Sequence, residues 1–426
     1  MTSWRQIPGV ALFAYLFFLA IELLGRGMKA SFAEPLRDFL QLHADRFTEL
    51  VSFVMGLLGT ALIQSSSSVT AMSVVLVQEG VMPLVIAAGI VHGANLGTSV
   101  TSSMVAFASE APPLSGRPWR DLRTLLSVPR GEGFRRAVGT AVVHDMFNIV
   151  MVTAILLLLE LPFGIILSTS DWLAGVLSGW LAGSDVVLDV LSVVSPATYT
   201  RPVSKGLLGL GLPGWSLVLA AVPLLFISLR GFSTRMRQLL LSGVDTSDAE
   251  SVGARMLGTH PLDTFLRGLV VTILVQSSSA TTSMVVPLAA MGLFRVRAIF
   301  PFILGANIGT TTTALLAASG GLGEPGFHEG MTIAVAHLLL NALAVALVVV
   351  VPGLQGRILA AADWLAWRAE AWPAALVVYL CVLVVLVPAV AYFLPTVPAA
   401  VFVGAMVLGL LVGPALDRRR GVRQGD

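Results

Sequence analysis

Charged side chains are scarce in this chain. Only 12 % of its 426 residues are Asp, Glu, Lys or Arg, 56 % are hydrophobic, and the mean hydropathy is +0.88. A soluble domain usually carries about a quarter of its residues as charges. This chain cannot clothe its own surface for water, so lipid must cover it, and the expected fold class is an all-α membrane protein. Cysteine is nearly missing: Cys381 stands alone, which excludes an intramolecular disulfide and a four-ligand thiolate metal site. The net charge of +2 is small, and the arginines gather in short loops, so nucleic acid is not an expected partner. No G-x-x-x-x-G-K-[ST] loop is present, which argues against ATP-driven work by this chain alone. No G-x-S-x-G surrounds either serine run, which argues against a serine hydrolase using His144 or His337, and the chain does not read as an enzyme.

Long apolar runs are what the chain has. Stretches near 8–25, 83–108, 135–159, 207–229, 295–318, 330–352, 373–394 and 396–417 reach the roughly 20 residues a membrane span needs. The first reads as a span and not as a cleaved leader, because Gly25-Arg26-Gly27-Met28-Lys29 makes no convincing small-x-small cleavage site. Two further stretches, about 50–79 and 262–292, carry polar clusters at their centres, which a simple span tolerates poorly. Arginines crowd three regions: Arg117, Arg120, Arg123, Arg130, Arg135 and Arg136; Arg230, Arg235, Arg237 and Arg255; and Arg418, Arg419, Arg420 and Arg423. The positive-inside rule makes all three cytoplasmic. About eight spans with cytoplasmic termini satisfy this if the two odd stretches are re-entrant helical hairpins. Arg26, Lys29, Arg37 and Arg46 then fall outside, diluted by Glu34, Asp38, Asp45 and Glu49. Residues 357–370 read either as a loop or as an amphipathic helix lying on the membrane.

The chain repeats itself. GLLGTALIQSSS at 56–67 answers GLVVTILVQSSS at 268–279, and GANLGT at 93–98 answers GANIGT at 305–310, with one offset of 212 (276 − 64 and 307 − 95). A third pair follows, His144 with Asn148 and His337 with Asn341. The loop after GANLGT is rich in arginine, whereas 319–329 holds no Lys or Arg and carries Glu324 and Glu329. Equivalent loops of opposite charge bias lie on opposite sides of a membrane, so two inverted-topology repeats are expected. Repeat 1 covers 1–165, with hairpin 50–79 and spans 83–108 and 135–159. An extracellular or periplasmic connection covers 166–206. Repeat 2 covers 207–353, with hairpin 262–292 and spans 295–318 and 330–352. Residues 354–426 hold the amphipathic segment and two further spans. Inverted repeats with interrupted helices point to a secondary transporter with a site near the midplane.

The serine runs suit an oxyanion. A hairpin tip breaks its helix, and the second limb then begins with backbone N–H groups that lack partners and with the positive end of the helix dipole. Serine hydroxyls add donors, and the same hydroxyls with Gln and backbone carbonyls are oxygen ligands for a hard cation such as sodium. The alternative is helix–helix packing, the usual work of a lone membrane serine. Asn95 and Asn307, with Thr98, Thr101, Thr310 and Thr313, offer either further ligands or interhelical hydrogen bonds. His144 and Asn148 share one helix face, as do His337 and Asn341; a hydrogen-bonded structural role and a ligand role both fit. Asp145 has no obvious repeat partner, and His92 is answered by Leu304.

The paired QSSS motifs, each followed by GAN(L/I)GT, together with the stretch from Arg135-Arg136-Ala137 to His144-Asp145-x-Phe147-Asn148, resemble the type II sodium–phosphate cotransporters and their bacterial relatives. The likeness covers about 50–165 and 260–350. It implies sodium-coupled symport of inorganic phosphate by alternating access, in a bacterial inner membrane, with sodium as coupling ion and no other cofactor. It implies Ser65, Ser66, Ser67, Ser277, Ser278 and Ser279 as phosphate-binding residues. It makes Gln64, Gln276, Ser68, Asn95, Thr98, Thr281, Thr282, Asn307 and Thr310 the sodium-binding candidates. A homodimer is compatible with it, though nothing in these residues demands one. The 166–206 connection lacks the cysteines of animal members, and the chain ends just past its last span, so an appended regulatory domain is not expected. A carrier of another oxyanion such as sulfate or arsenate, a phosphate exporter, and a channel remain the competing readings.

Overall fold

The computed structural model describes residues 7–42, 49–108, 118–182, 196–240, 257 and 260–419, and all regular structure among them is helical. In the first half the helices are α1 (Ile7–Leu42), α2 (Glu49–Ile63), α3 (Ser66–Gln78), α4 (Leu84–Gly97), α5 (Ser99–Ala108), α6 (Pro118–Ser127), α7 (Glu132–Ile155) and α8 (Ile165–Ala182). In the second they are α9 (Pro196–Gly209), α10 (Gly214–Leu240), α11 (Pro261–Val275), α12 (Ser278–Ala290), α13 (Val296–Thr310), α14 (Thr312–Ser319), α15 (Phe327–Val350), α16 (Leu354–Ala371), α17 (Ala374–Phe393, with a π turn at Val382–Leu386) and α18 (Thr396–Arg419). A second π turn, Leu156–Glu160, carries α7 on to Phe163.

Among the described residues, seven helical runs are long and apolar enough to cross a membrane: Ile7–Ser31, Leu84–Phe107, Glu132–Phe163, Val296–Ser319, Phe327–Val350, Ala374–Phe393 and Thr396–Pro414. They coincide with seven of the expected spans. The eighth expectation, 207–229, is displaced. The chain breaks after Gly209, passes Gly211 at φ +81°, and restarts a helix only at Gly214, whose described apolar part runs to Leu225. Gly209 to Gly214 scores as apolar, yet its glycines and Pro213 favour a turn. The 166–206 connection is helical through Ala182 and again from Pro196. Arg46, Arg117, Arg255, Arg420 and Arg423, and both termini, lie outside the described residues.

Two features position the centre of the molecule. The first is close glycine packing. Gly56 on α2 meets the backbone of Ile90 on α4, Gly93 meets that of Phe53, and a Cβ at Gly97 would stand 2.5 Å from Leu57 O. The second half repeats this: Gly268 on α11 meets Phe302 on α13, Gly305 meets Phe265, and a Cβ at Gly309 would lie 2.8 Å from Leu269 O. In lipid, where apolar surface gains little by hiding, such backbone approach is what holds helices together. The second feature is exchange. α7 packs on α12 and α16, and the matching α15 packs on α3 and α8. Each serine-bearing limb thus lies against the histidine helix of the other half. α7 is buried almost throughout, with Phe147 edge-on to Phe300 at 6.3 Å between ring centres.

α8 and α16 flank this core. α16 settles the reading of 357–370 as a helix: Ile358, Ala361, Ala362, Leu365, Ala366 and Ala369 are buried, while Arg357, Asp363 and Arg368 are exposed. It is pinned to the start of α7, where Arg130 N donates to Glu370 O at 2.9 Å and Arg135 pairs with Glu370 at 3.6 Å.

The glycine contacts make a stability prediction. Gly93→Val and Gly305→Val each push a side chain into a facing backbone, and should lower the unfolding temperature of the purified protein sharply, at a cost of about 3 kcal/mol or more. Gly179→Ala on α8, where nothing lies within 4 Å of the new methyl, should leave it unchanged or slightly higher. Equal stability of all three proteins would show that the close approach carries no load.

Candidate functional site

The site is built on two breaks in helical backbone. α2 ends at Ile63 and α3 begins at Ser66; α11 ends at Val275 and α12 begins at Ser278. Between them Gln64 and Gln276 adopt left-handed backbone, φ 60° and 57°, and among the described residues they are the two non-glycine positions with positive φ. Each glutamine amide N–H still closes onto its own first limb, to Thr60 O and Thr272 O, both at 2.7 Å. The next serine then turns extended and caps the second limb: Ser65 Oγ accepts from Ser68 N and Ser277 Oγ from Ala280 N, both at 3.2 Å. Ser65 Oγ also lies 2.8 Å from Ser68 Oγ, and Thr281 Oγ1 donates to Ser277 O at 2.9 Å. An α-helix gives its first amides no partner of its own, so the N–H groups of Ser66, Ser67, Ser278 and Ser279 stand at two buried helix starts.

The breaks are held by the GAN helices and by each other. Thr101 Oγ1 donates to Gln64 Oε1 at 2.7 Å, and Thr313 Oγ1 donates to Gln276 Oε1 at 2.8 Å. Gln276 Nε2 in turn donates to Thr312 Oγ1 at 3.1 Å. Ser67 Oγ donates to Gln276 O at 2.8 Å, so the first serine run touches the second break directly. The GAN helices themselves yield at Thr98 and Thr311, where the sequence reading has continuous spans. Thr98 Oγ1 donates to Ala94 O at 3.1 Å, Thr310 Oγ1 to Ala306 O at 2.9 Å and Thr312 Oγ1 to Gly309 O at 2.7 Å, a back-bonding that bends helices.

The histidines cross between halves. His144 on α7 places Nε2 3.2 Å from Asn307 Oδ1 of the second GAN motif, and His337 on α15 places Nε2 3.1 Å from Asn95 Oδ1 of the first. The direction of each bond follows the imidazole tautomer, and at His144 the amide nitrogen of Asn148 lies 3.2 Å from the same Nε2. The asparagine nitrogens, Asn95 Nδ2 and Asn307 Nδ2, are buried and have no hydrogen-bond partner among the described residues. All four side chains are at most 5 % exposed.

One charge breaks the symmetry. Asp145 is fully buried beside His144. Its Oδ2 accepts from Ser103 Oγ at 3.2 Å and Tyr379 OH at 3.4 Å, and its Oδ1 lies 3.5 Å from His144 Nδ1. The position that answers Asp145 in the second half is Leu338. A lone carboxylate inside an apolar helix marks an ion or proton site by default. That signal was present in the sequence, but the absence of a repeat partner hid its weight.

The residues singled out in the sequence therefore gather at one centre, with different duties. Ser65 and Ser277 cap, Thr98 and Thr310 bond back into their own helices, and Gln64 and Gln276 fasten the breaks to threonines. Ser66, Ser67, Ser278, Ser279 and Thr282 are buried beside them. His92 is buried too, with neither ring nitrogen partnered among the described residues.

Comparison with known proteins bears on the whole arrangement. The sequence pattern of the Na+/Pi-cotransporter family matches residues 16–115 and 224–366. The chain is 25 % identical over 401 residues to sodium-dependent phosphate transport protein 2A of Mus musculus, covering 80 % of this chain and 60 % of that protein. It is 25 % identical over 410 residues to sodium-dependent phosphate transport protein 2B of Homo sapiens, covering 77 % and 56 %. The chain thus spans less than two thirds of the length of these curated relatives. No solved structure matches it. The family pattern takes in both breaks, both GAN motifs and His337, and with seven helices among the described residues long and apolar enough to cross a membrane, this integral membrane protein belongs to the Na+/Pi-cotransporter family.

Proposed function

We propose that this chain is a sodium-coupled symporter of inorganic phosphate. The anion binds between the two Gln-Ser breaks, and the two halves alternate its exposure to either side of the membrane. The observation that carries the reading is the meeting of the breaks: Ser67 reaches Gln276 O, and each half's histidine holds the other half's asparagine. Two helix starts and a set of hydroxyls then converge on one buried place, where a tetrahedral oxyanion meets donors from both halves. No Lys or Arg lies within either serine run, so the anion is held by dipoles and neutral donors, weakly enough to leave.

The two ions divide the site by chemistry. Where the histidines donate from Nε2 to the oxygens of Asn95 and Asn307, the amide N–H groups of these asparagines are left, and donors suit phosphate. These asparagines therefore move from the sodium side, where the family resemblance put them, to the anion side. Sodium needs hard oxygens and a compensating charge, and Asp145 supplies both. Burial of the ionised carboxylate costs several kcal/mol unless a cation or a proton joins it.

Inversion of the repeats draws support from the two rims. The turn between α3 and α4, at Gln78 and Glu79, lines one cavity with Gly320, Gly321 and Glu324 of the loop that lacks Lys and Arg. The turn between α12 and α13, at Gly292 to Arg297, lines another with Arg135 and Arg136. The base of each hairpin is thereby associated with a loop of opposite charge bias, as re-entrance from opposite faces requires.

In proteoliposomes, an inward sodium gradient should drive saturable accumulation of radiolabelled phosphate, and an equal potassium gradient should not. Entry without saturation or sodium dependence would replace the symporter with a channel, and entry of sulfate alone would move the substrate. Ser66→Ala and Ser278→Ala should each lower the phosphate kcat/KM by about tenfold or more, the usual size for a hydrogen bond to a charged group. Near-normal uptake by both would sink the site assignment. Asn95→Asp and Asn307→Asp replace a donor by an anion and should nearly abolish phosphate uptake; an undiminished rate with tighter sodium dependence would instead make these residues sodium ligands. Asp145→Asn should raise the sodium concentration for half-maximal uptake by about tenfold, and an unchanged sodium curve would remove Asp145 from the cation site. Cysteines replacing Gly131 and Pro325 should be labelled from opposite sides of the membrane. Labelling of both from one side would refute the inversion.

A further inference from the structure

Two cavities of opposite character meet at one pair of arginines. The first, of about 700 Å³, is a polar vestibule between the start of α7, the turn before α13, and α16. Arg135, Arg136, Arg295 and Arg297 line it, with Glu132 and Asp363 as its acids and Trp367 in its wall. The second, of about 950 Å³, is a cleft lined largely by apolar side chains, among them Phe265, Phe300, Leu304, Val345, Val348 and Val349. Phe294, Arg295 and Arg297 line both.

The vestibule is built and not merely crowded. Arg135 lies over Trp367, 4.1 Å from Cζ to the ring centre, and pairs with Glu132 at 3.3 Å and Glu370 at 3.6 Å. Arg136 pairs with Glu132 at 2.7 Å and packs onto the α-carbon of Gly292, whose φ of +80° and lack of a side chain admit it. Arg295 and Arg297 are exposed and make no ion pair among the described residues. Arg135 and Arg136 are thus held by Glu132 and Glu370, and Arg295 and Arg297 are the guanidinium groups that face the vestibule without an ion pair among the described residues.

We propose that this double cavity binds an anionic phospholipid, with its phosphate against Arg295 and Arg297 and an acyl chain in the apolar cleft. A guanidinium fork matches a phosphate bidentately, and a basic pocket between membrane helices is a recognised form of headgroup site. Free inorganic phosphate would use the polar half alone and leave the adjoining cleft without an occupant.

The test uses the full-length chain in micelles, titrated with phosphatidylglycerol and read by native mass spectrometry, with phosphatidylcholine and excess inorganic phosphate as the other arms. The wild type should retain phosphatidylglycerol in preference to phosphatidylcholine, and inorganic phosphate should not displace it. R295Q/R297Q should weaken retention about thirtyfold, the effect of removing two surface arginines from an anionic lipid. Val349→Trp, which fills the exposed rim of the cleft and leaves the charges intact, should also weaken it, and decides the matter if the double variant does not fold. Retention equal to the wild type in both variants overturns the proposal. Displacement of the lipid by inorganic phosphate, with Val349→Trp silent, overturns it in favour of a free-anion site.

Discussion

A helix that stops in the middle of an apolar slab leaves amides and carbonyls that lipid cannot satisfy, each costing several kcal/mol. The centre of this molecule is the solution to that problem, applied twice. Gln64 and Gln276 bend into left-handed backbone, a strain of order 1–3 kcal/mol for a residue with a side chain. The strain is held because the surroundings over-determine it. A backbone bond ties each glutamine to its first limb, a serine caps the second limb, and a threonine from the next helix grips the side chain. Once these bonds are made, the amides left at the two helix starts are the donors that the proposed phosphate site would use.

Closure of the breaks also joins the halves. A single half could cap its own serines, but it could not supply the imidazole that holds its asparagine, because His337 serves Asn95 and His144 serves Asn307. The polar atoms of the centre are shared property, and neither half is satisfied alone. This also accounts for the burial of α7 and of the stretch Gly330–His337 of α15, the helices that carry the histidines: each lies against the serine limb of the other half.

Much of this was legible in the residues. Gln-Ser-Ser-Ser repeated at one offset located both breaks to the residue, because a polar cluster in mid-run survives in lipid only where protein or a watery cavity receives it. The division of labour was not legible. Whether Ser65 caps or binds depends on a backbone angle at Gln64 that no local preference forecasts. The His144–Asn307 and His337–Asn95 pairs join positions with no signal in their separation. Thr98 and Thr311 interrupt helices that hydropathy draws as continuous, since a threonine bonding back to its own helix leaves the apolar score untouched. The turn from Gly209 to Gly214 was signalled by its glycines and Pro213, but a window average hid it among leucines. Asp145 was visible as a charge, and only its setting of Ser103, Tyr379 and His144 gives it meaning.

The glycine seams have a mechanical consequence. Where backbone lies on backbone, as between α2 and α4 or α11 and α13, no layer of flexible side chains remains to act as a bearing, and the two helices can only travel as one beam. Shear within such a beam is closed off. Any working stroke must be taken up at its ends, where Gln64 and Thr98 in one half, and Gln276 and Thr311 in the other, already interrupt the regular ladder. In each half, the places braced by hydrogen bonds and not by backbone packing are then these two interruptions of the ladder.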